Sequence, residues 1–221
     1  MEIDYFCDMK CDKDSGSKII MVGAGGHALS IAEFAGDRIY GYLSQDPNPE
    51  MPGKWIGTDE ERRHLAEEGC LFHMGYVYSG LPRMEKRRLL IEAYKTSGAR
   101  FMTIISPTAT VTPRSRIGEG CTIMTGAIVN RAVLGENVVV NSGAIVEHDC
   151  EVGDNTFIGP GVVIGGFTRI GSNCFIGLGA RIMNGVTIGD NVSVAMGAIV
   201  NKSLLEPGLY HGSPLKRFKD V

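Results

Sequence analysis

A six-residue period in the second half of the chain constrains the fold more than any other feature. Counting from Val140, an aliphatic residue recurs at every sixth position for 11 consecutive positions, the last being Val200. The same rule extends back through Ile117, Ile123 and Val129, after which one interval shortens to five residues. This period fits neither a helix nor a flat two-sided strand. It is typical of short strands joined by tight corners, at which glycine has little steric cost.

The composition of this half agrees with a narrow core. The chain has 30 glycines, and 18 of them lie from residue 111 onward, where only 5 of the 16 aromatic residues occur. Aliphatic and small side chains in these proportions point away from a helix bundle. Cys121, Cys150 and Cys174 fall on the small inward positions of the repeat, so we interpret them as buried side chains and not as catalytic thiols.

The first half of the chain predicts a small α/β domain. We expect its strands at Lys18–Val22, Ile39–Leu43, Tyr76–Ser79 and Arg100–Ile105, and its helices after Gly26, from Thr58 to Gly69 and from Pro82 to Gly98. The first strand leads into Gly23-Ala24-Gly25-Gly26-His27. A strand, a glycine turn and a helix in this order aim backbone N–H groups at a phosphate, although a plain tight turn also fits the motif alone.

These patterns predict the following domain organisation. An N-terminal extension occupies residues 1–17, the α/β domain residues 18–106, the repeat residues 107–205 and a tail residues 206–221. A Rossmann-like α/β domain followed by a parallel β-helix is therefore the expected fold class.

Charge and hydropathy exclude several function classes. A net charge of −3 and a pI near 6.0 argue against a nucleic-acid-binding protein. No apolar run is long enough to span a membrane, and the N-terminus has no signal-peptide core, so we expect a cytoplasmic protein. Six cysteines are too few for a disulfide scaffold, and Cys7 and Cys11 have no second pair nearby, so we expect no metal site.

The order of motifs is distinctive. The glycine turn, the Pro107-Thr108-Ala109 passage, the segment from Asn141 to Cys150 and the closing Gly212-Ser213-Pro214-Leu215-Lys216 follow one another along the chain. This order resembles the sugar acyltransferase family that contains sialic acid O-acetyltransferases and nucleotide-amino-sugar N-acetyltransferases of bacterial glycan synthesis. The resemblance implies a left-handed β-helix and a homotrimer with active sites between subunits. It also implies acetyl-CoA as co-substrate and a nucleotide sugar held by the α/β domain.

Glu147-His148-Asp149 interrupts the neutral repeat with charge. An imidazole flanked by carboxylates suits proton abstraction near neutral pH, because a carboxylate orients the ring and favours its charged form. A surface histidine at a coil corner is the alternative interpretation. The resemblance implies that His148 is the general base and that Asp149 raises its basicity.

The resemblance also implies the binding residues. The backbone N–H of Gly166 would hold the acetyl oxygen, Leu178 and Met196 would contact the pantetheine arm, and Lys216 would meet the CoA phosphates, unless it belongs to a solvated tail. The implied nucleotide-sugar contacts are Gly25, Gly26, His27, Ser44, Gln45, Gly80 and Asn141.

Three positions depart from the family pattern. Phe157 stands where members often carry a histidine, nine residues after the base, so only a packing or backbone contact to CoA carries over. Ser44-Gln45 replaces acidic residues that contact the ribose, and Leu81-Pro82 replaces a polar pair.

The leading prediction is an acetyl-CoA-dependent N-acetyltransferase that acts on a nucleotide-linked amino sugar by direct transfer. O-acetylation of a sugar hydroxyl, as in sialic acid, would use the same machinery. A zinc enzyme of the γ-carbonic anhydrase kind needs three histidines, and only His148 lies within the repeat. A non-catalytic trimeric scaffold is the remaining alternative.

Overall fold

The structure, a computed structural model, describes residues 19–77, 81–212 and 216–219, with the backbone alone at residues 81–83 and 216–219. Its first part is a five-stranded parallel sheet in the order β3-β2-β1-β4-β5. The strands are β1 (Ile19–Val22), β2 (Ile39–Leu43), β3 (Lys54–Gly57), β4 (Leu71–Met74) and β5 (Arg100–Phe101). The helices are α1 (Gly26–Ala35), α2 (Arg62–Glu67) and α3 (Leu81–Thr96), with 3-10 turns at Gly36–Arg38 and Asp59–Glu61.

The central strand β1 is buried along its whole length and separates two apolar layers. Ile20 and Val22 face one layer, which includes Ile91 of α3, while Met21 faces the other, which includes Ile31 of α1. Alternate residues of a strand point to opposite faces, so helices cover both faces of this sheet, as in a doubly wound α/β fold.

Several predicted element positions in this part are wrong. The third predicted strand is observed at Leu71–Met74; Tyr76 and Val77 follow it outside any strand, and residues 78–80 lie outside the described part. The single strand expected at Arg100–Ile105 is two strands that belong to different sheets. The edge strand β3 was not predicted. By contrast, β2 has the predicted bounds, and Thr58 begins a helical segment by accepting a hydrogen bond from the Glu60 N–H at 3.4 Å.

The second part is a parallel β-helix whose strands, most of them two residues long, form three flat faces. Face 1 consists of β7 (Thr110–Val111), β10 (Ile128–Val129), β13 (Ile145–Val146), β16 (Val163–Ile164), β19 (Arg181–Ile182) and β22 (Ile199–Val200). Face 2 consists of β8 (Arg116–Ile117), β11 (Val133–Leu134), β14 (Glu151–Val152), β17 (Arg169–Ile170) and β20 (Thr187–Ile188). Face 3 consists of β6 (Ile104–Ile105), β9 (Thr122–Ile123), β12 (Val139–Val140), β15 (Phe157–Ile158), β18 (Phe175–Ile176), β21 (Val192–Val194), β23 (Gly208–His211) and the antiparallel β24 (Lys216–Lys219).

The predicted fold class is confirmed. The second residue of each short strand is the aliphatic residue of the period, and these residues stack in ladders such as Val146 on Ile164 on Ile182. They form one continuous core with the small residues that follow four positions later, among them Ala144, Thr156 and Ala180. The six-residue period is thus one face and one corner of an 18-residue coil.

Most corners contain one residue with a left-handed backbone, three positions after the inward aliphatic residue (two at Arg131, where the period shortens), and the three corners use different residues there. Between faces 3 and 1, in what we call the glycine corner, these residues are Gly126, Gly143, Gly161, Gly179 and Gly197. Between faces 2 and 3, in the asparagine corner, they are Gly120, Asn137, Asn155, Asn173 and Asn191. Between faces 1 and 2, in the histidine corner, they are Arg131, Asp149, Phe167 and Gly185.

The glycines that directly follow the inward aliphatic residues have a different cause from the one expected. They lie outside the left-handed region, but a Cβ atom at Gly177 would come within 2.6 Å of the Met196 backbone nitrogen in the next coil. The same close approach occurs at Gly153 and Gly165. These glycines are required by the spacing between coils and not by the turn.

The α/β part packs against face 3. Met84 of α3 is buried against Val139 and Phe157 of that face. Arg87, which is 1% exposed, donates from Nη1 to the Asn137 carbonyl at 3.0 Å and to the Asn155 side chain. His73 of β4 bridges the Met102 carbonyl and the Thr122 hydroxyl, and burial lowers its pKa to about 4.

The other two faces point outward with different chemistry. Face 1 presents apolar side chains except at Thr110 and Arg181, and Ile128 and Ile199 are 36% and 47% exposed. Face 2 presents charged side chains, including Glu151 and Arg169 at a nitrogen–oxygen distance of 3.7 Å. Among the residues described, no helix is both long and apolar enough to cross a membrane.

Candidate active site

His148 and Asp149 occupy the histidine corner between β13 and β14. Asp149 holds the left-handed position with φ of 60°, and its Oδ2 lies 3.0 Å from Nδ1 of His148. Aspartate tolerates this backbone region better than most residues. With Nδ1 donating to the carboxylate, Nε2 is the ring nitrogen that can accept a proton, and the side chain is 44% exposed.

Neighbouring side chains hold this pair in place. Arg131 occupies the same turn position one coil earlier, and its Nη2 donates to Asp149 Oδ1 at 3.0 Å. The hydrogen bond from His148 and the nearby Arg131 charge hold the pKa of Asp149 below its usual range, so its carboxylate is ionised. Glu147 accepts from the His148 backbone N–H at 3.2 Å and from the Asn130 amide at 3.1 Å.

Gly166 and Phe167 of the next coil surround the imidazole. A Cβ atom at position 166 would lie 2.8 Å from both Cε1 and Nε2 of His148, so only glycine leaves room for the ring in this position. The Phe167 ring meets the imidazole edge to face, with centroids 5.0 Å apart and an interplanar angle of 89°. The sequence suggested close approach of a ligand at Gly166, whereas the group that approaches it in the structure is His148. The role of the Gly166 N–H as a donor to the oxyanion stays a prediction.

The glycine turn lies at the carboxyl edge of the five-stranded sheet. Gly25 precedes α1 without a side-chain cap, and the space at the Cβ positions of Gly25 and Gly26 is open to 4 Å. Free N–H groups at a helix start favour an anion. His27 is largely buried, burial and the Arg87 charge lower its pKa to about 3, and among the described residues its Nε2 has no hydrogen-bond partner.

The loop after β2 is fastened to the glycine turn. Asn48 donates to the Ala24 carbonyl at 2.7 Å, and the Ser44 backbone N–H donates to the Gly57 carbonyl at 3.0 Å. Gln45 is exposed. Trp55, the only tryptophan of the chain, is 40% exposed and donates its indole N–H to the Ser44 carbonyl at 3.2 Å. The sequence analysis did not identify Asn48 or Trp55 as site residues. The available signal was the single tryptophan of the chain, which follows this loop in the sequence.

The remaining predicted residues do not gather around His148. Asn141, Leu178 and Met196 lie in the glycine corner, on the opposite side of face 1 from the histidine corner, and Leu178 and Met196 are 56% and 77% exposed. Phe157 is buried on face 3, where its ring stacks on Phe175 at 5.1 Å. The Lys216 backbone lies in β24, while its side chain and all of Gly80 lie outside the described residues.

The cysteines of the repeat are buried free thiols. Burial raises the pKa of Cys121 to about 12 and of Cys174 to about 11, and it also raises the pKa of Cys150. A raised pKa disfavours the nucleophilic thiolate, which agrees with their interpretation as packed side chains. Within the described residues, no three His, Cys, Asp or Glu side chains are grouped so that they could hold a metal ion.

Comparisons with known protein families match hexapeptide-repeat transferases. Residues 131–166 match the model described as bacterial transferase hexapeptide (six repeats), and residues 167–202 match the hexapeptide repeat of succinyl-transferase. No curated protein matches the chain significantly.

Solved structures match over nearly the whole chain. The acetyltransferase domain of PglB from Neisseria gonorrhoeae, solved with acetyl coenzyme A, is 30% identical with a TM-score of 0.81, over 92% of this chain and 100% of that one. PerB from Caulobacter crescentus, a GDP-perosamine N-acetyltransferase solved with CoA and GDP-perosamine, is 29% identical with a TM-score of 0.82, over 91% and 97%. WeeI from Acinetobacter baumannii, 18% identical over 91% and 99% with a TM-score of 0.75, shares the fold.

Proposed function

The chain belongs to the hexapeptide-repeat sugar acetyltransferases, and from this premise we propose that it transfers the acetyl group of acetyl-CoA directly to the amino group of a nucleotide-linked sugar. It is an acetyl-CoA-dependent enzyme. The observation that carries the proposal is the pair formed by His148 and the ionised Asp149, because it leaves Nε2 as the proton-accepting ring nitrogen while a fixed negative charge lies beside Nδ1.

The proposed reaction uses His148 as the general base. The amine nitrogen of the sugar attacks the thioester carbonyl, and Nε2 of His148 removes an N–H proton as the new C–N bond forms. Asp149 stabilises the imidazolium that results. The tetrahedral intermediate then collapses, the C–S bond breaks, and CoA leaves as a thiolate that takes up a proton. The Gly166 N–H is the proposed donor to the oxyanion.

We propose that two subunits complete each site within a homotrimer. His148 and the apolar pair Leu178 and Met196 lie at the two edges of face 1 in one chain. Packing of face 1 against a second copy would bury the exposed Ile128 and Ile199, and it would bring the histidine corner of one chain toward the glycine corner of its neighbour. The pantetheine arm would then contact Leu178 and Met196, with Lys216 proposed for the CoA phosphates.

The nucleotide end of the substrate is assigned to the carboxyl edge of the five-stranded sheet. Ligands of open α/β sheets bind outside the carboxyl ends of the strands, where the glycine turn and the Ser44–Gln45 loop are fastened together by Asn48. The diphosphate would lie on Gly25, Gly26 and His27, and the nucleoside would lie toward Ser44 and Gln45. Gly80 and Asn141 remain proposed contacts of the sugar.

Mass spectrometry of a panel of nucleotide-linked amino and hydroxyl sugars, incubated with acetyl-CoA and the enzyme, tests this function. A fluorescence titration with free nucleotides selects the nucleotide for the panel beforehand. Trp55 is the single tryptophan, and a bound nucleotide should quench its emission because the indole contacts the proposed nucleoside loop. We expect an N-acetylated product. A product acetylated only on hydroxyl would establish O-acetylation, and no product together with no CoA binding would favour a scaffold.

The control for the panel is His148→Ala. Loss of a positioned base lowers the rate by roughly 10²–10⁴-fold while trimer assembly and CoA binding stay intact. Near-normal turnover of this variant would overturn the role of His148.

We propose the cytoplasm as the compartment, since Cys70, Cys121, Cys150 and Cys174 are free thiols.

A further inference from the structure

Phe167 occupies a backbone position that disfavours an aromatic side chain. Its φ is 61°, in the left-handed region, where the glycine and asparagine corners carry only glycine or asparagine. These two residues accept left-handed geometry readily, whereas a bulky side chain there is an outlier. The turn alone therefore does not account for a phenyl ring at position 167.

Burial within the chain does not account for it either. The Phe167 side chain is 62% exposed, more than any other aromatic side chain that the structure describes. The residue contacts His148 twice: its N–H donates to the His148 carbonyl at 3.0 Å, and the two rings meet edge to face with centroids 5.0 Å apart. Backbone strain that persists without a packing gain is found preferentially at functional sites. The strain at Phe167 is therefore associated with the histidine and not with the core.

The imidazole has few other restraints. The Asp149 carboxylate lies 3.0 Å from Nδ1, which fixes one atom of the ring but not its plane. The last torsion of a histidine side chain has broad minima, so it restrains the plane weakly. Gly166 lies beside Cε1 and Nε2 but has no side chain that could press on them. A further group is needed to hold the plane of the ring, and the Phe167 ring is in contact with it.

An aromatic ring can hold an imidazole plane where a small polar side chain cannot. Edge-to-face pairs have a preferred geometry, and the interplanar angle of this pair is 89°. Asparagine at position 167 would suit the turn, as it does in the asparagine corner, but it would leave this side of His148 without the ring. A catalytic group that is displaced by about 1 Å can lose about 10²-fold in rate, so the orientation of Nε2 matters for turnover.

We propose that Phe167 is a positioning residue whose ring holds the plane of the His148 imidazole, so that Nε2 faces the reacting amine. The strained turn is the consequence of placing a ring at this position. This inference rests on the proposed function, since it needs His148 to act as the base. It predicts that removal of the ring makes the protein more stable and the enzyme slower.

Phe167→Asn tests both parts of this prediction. It installs the residue of the asparagine corner and loses little buried area, so we expect the midpoint of thermal unfolding to rise by about 2–8 °C at fixed protein concentration. We expect the rate of acetyl transfer in a single turnover, which excludes product release, to fall roughly 10-fold because the imidazole plane is no longer held. The KM for the nucleotide sugar should stay unchanged, because the ring acts through His148.

Further variants separate the ring from the turn. Phe167→Tyr keeps the ring and should keep most of the transfer rate. Phe167→Leu keeps an apolar side chain without the ring, so it should lose as much rate as Phe167→Asn. Asn191→Gly is the matched control, because it changes a left-handed residue in the asparagine corner and should leave both the rate and the KM unaltered.

Three results with Phe167→Asn would overturn the inference and leave the proposed function standing. An unchanged transfer rate and KM would show that the ring does not position the base. A raised KM with an unchanged rate would make Phe167 a substrate contact, and a lower unfolding midpoint or a dissociated trimer would make it a packing or subunit contact. No acetylated product from the unaltered enzyme with any nucleotide sugar would instead overturn the proposed function.

Discussion

The histidine corner and the asparagine corner solve the same geometric problem with different residues. Both connect two flat faces of one prism, and both place a left-handed residue every 18 positions along most of their length. The asparagine corner repeats one residue type at Asn137, Asn155, Asn173 and Asn191. The histidine corner instead contains Arg131, Asp149, Phe167 and Gly185.

This difference separates architecture from chemistry within a single repeat. Asparagine meets the demand of the turn and needs no other reason to be there. Arg131 and Phe167 meet it poorly, yet Phe167 contacts His148 and Arg131 contacts it through Asp149. A local rule that is broken at one corner and kept at its neighbour marks the place where another requirement dominates.

Among substitutions at the histidine corner that keep the His148 side chain, Gly166→Ala gives the largest expected change. The added methyl group would meet the imidazole at 2.8 Å and force His148 away from its position, while the Gly166 N–H is retained. A displacement of about 1 Å at a catalytic group can cost about 10²-fold, so we expect kcat to fall by about that factor. Steady-state kinetics with a thiol assay for released CoA measures it.

Gly36→Ala serves as the control for this substitution, because a Cβ atom there has no neighbour within 4 Å. It should leave kcat unchanged. If Gly166→Ala keeps full activity with an unchanged fold, the position of the His148 ring against Gly166 is not the reactive one.

Asn191→Phe transfers the strain of Phe167 to the asparagine corner. A bulky residue with left-handed φ costs about 1–2 kcal/mol, and Asn191 is exposed, so the ring has nothing to pack against. We expect the midpoint of thermal unfolding to fall by about 2–8 °C at fixed protein concentration, with unchanged kcat. Unchanged stability would show that this turn does not discriminate between the two residues.

Arg131→Gln makes the smallest expected change. It removes one of the two groups that lower the pKa of Asp149, so this pKa should rise toward its ordinary value while the His148 hydrogen bond keeps it below. Because the native pKa is depressed, the Asp149 carboxylate stays charged to a lower pH, and in the variant it takes up its proton at a higher pH.

A carboxyl carbon NMR titration of the unaltered and variant proteins measures this shift directly. We expect the Asp149 midpoint to move upward in Arg131→Gln and to stay in place in Arg169→Gln, whose partner Glu151 lies on face 2. An unmoved Asp149 midpoint would mean that Arg131 acts only through geometry.

The fold was predictable where one physical requirement repeats. Each inward aliphatic residue of the β-helix faces the same core, so the period survives in the sequence over many coils. The α/β part offers one instance of each element, and there the aromatic and β-branched run at Tyr76–Ser79 outweighed the true strand at Leu71–Met74. The edge strand β3 went unrecognised because its four residues, two of them exposed and two partly exposed, carry little alternation.

The candidate site was predictable only where its residues are adjacent in sequence. His148 and Asp149 are neighbours, and their contact follows from their position in one turn. Gly166 and Phe167 contact that histidine from the next coil of the β-helix. The contact between Trp55 and Ser44 joins strand β3 to the residue that follows β2. Such contacts depend on register, which no local motif encodes.

The burial of face 3 has a practical consequence for dissecting the molecule. Phe157, Val139 and Phe175 are covered from outside by Met84 and its neighbours, and Arg87 ties α3 to the asparagine corner through carbonyl and amide oxygens. A fragment that began after residue 105 would present these rings to water along the flank of the prism. The β-helix is therefore not an independent module, because face 3 is buried only by residues that precede the repeat in the chain.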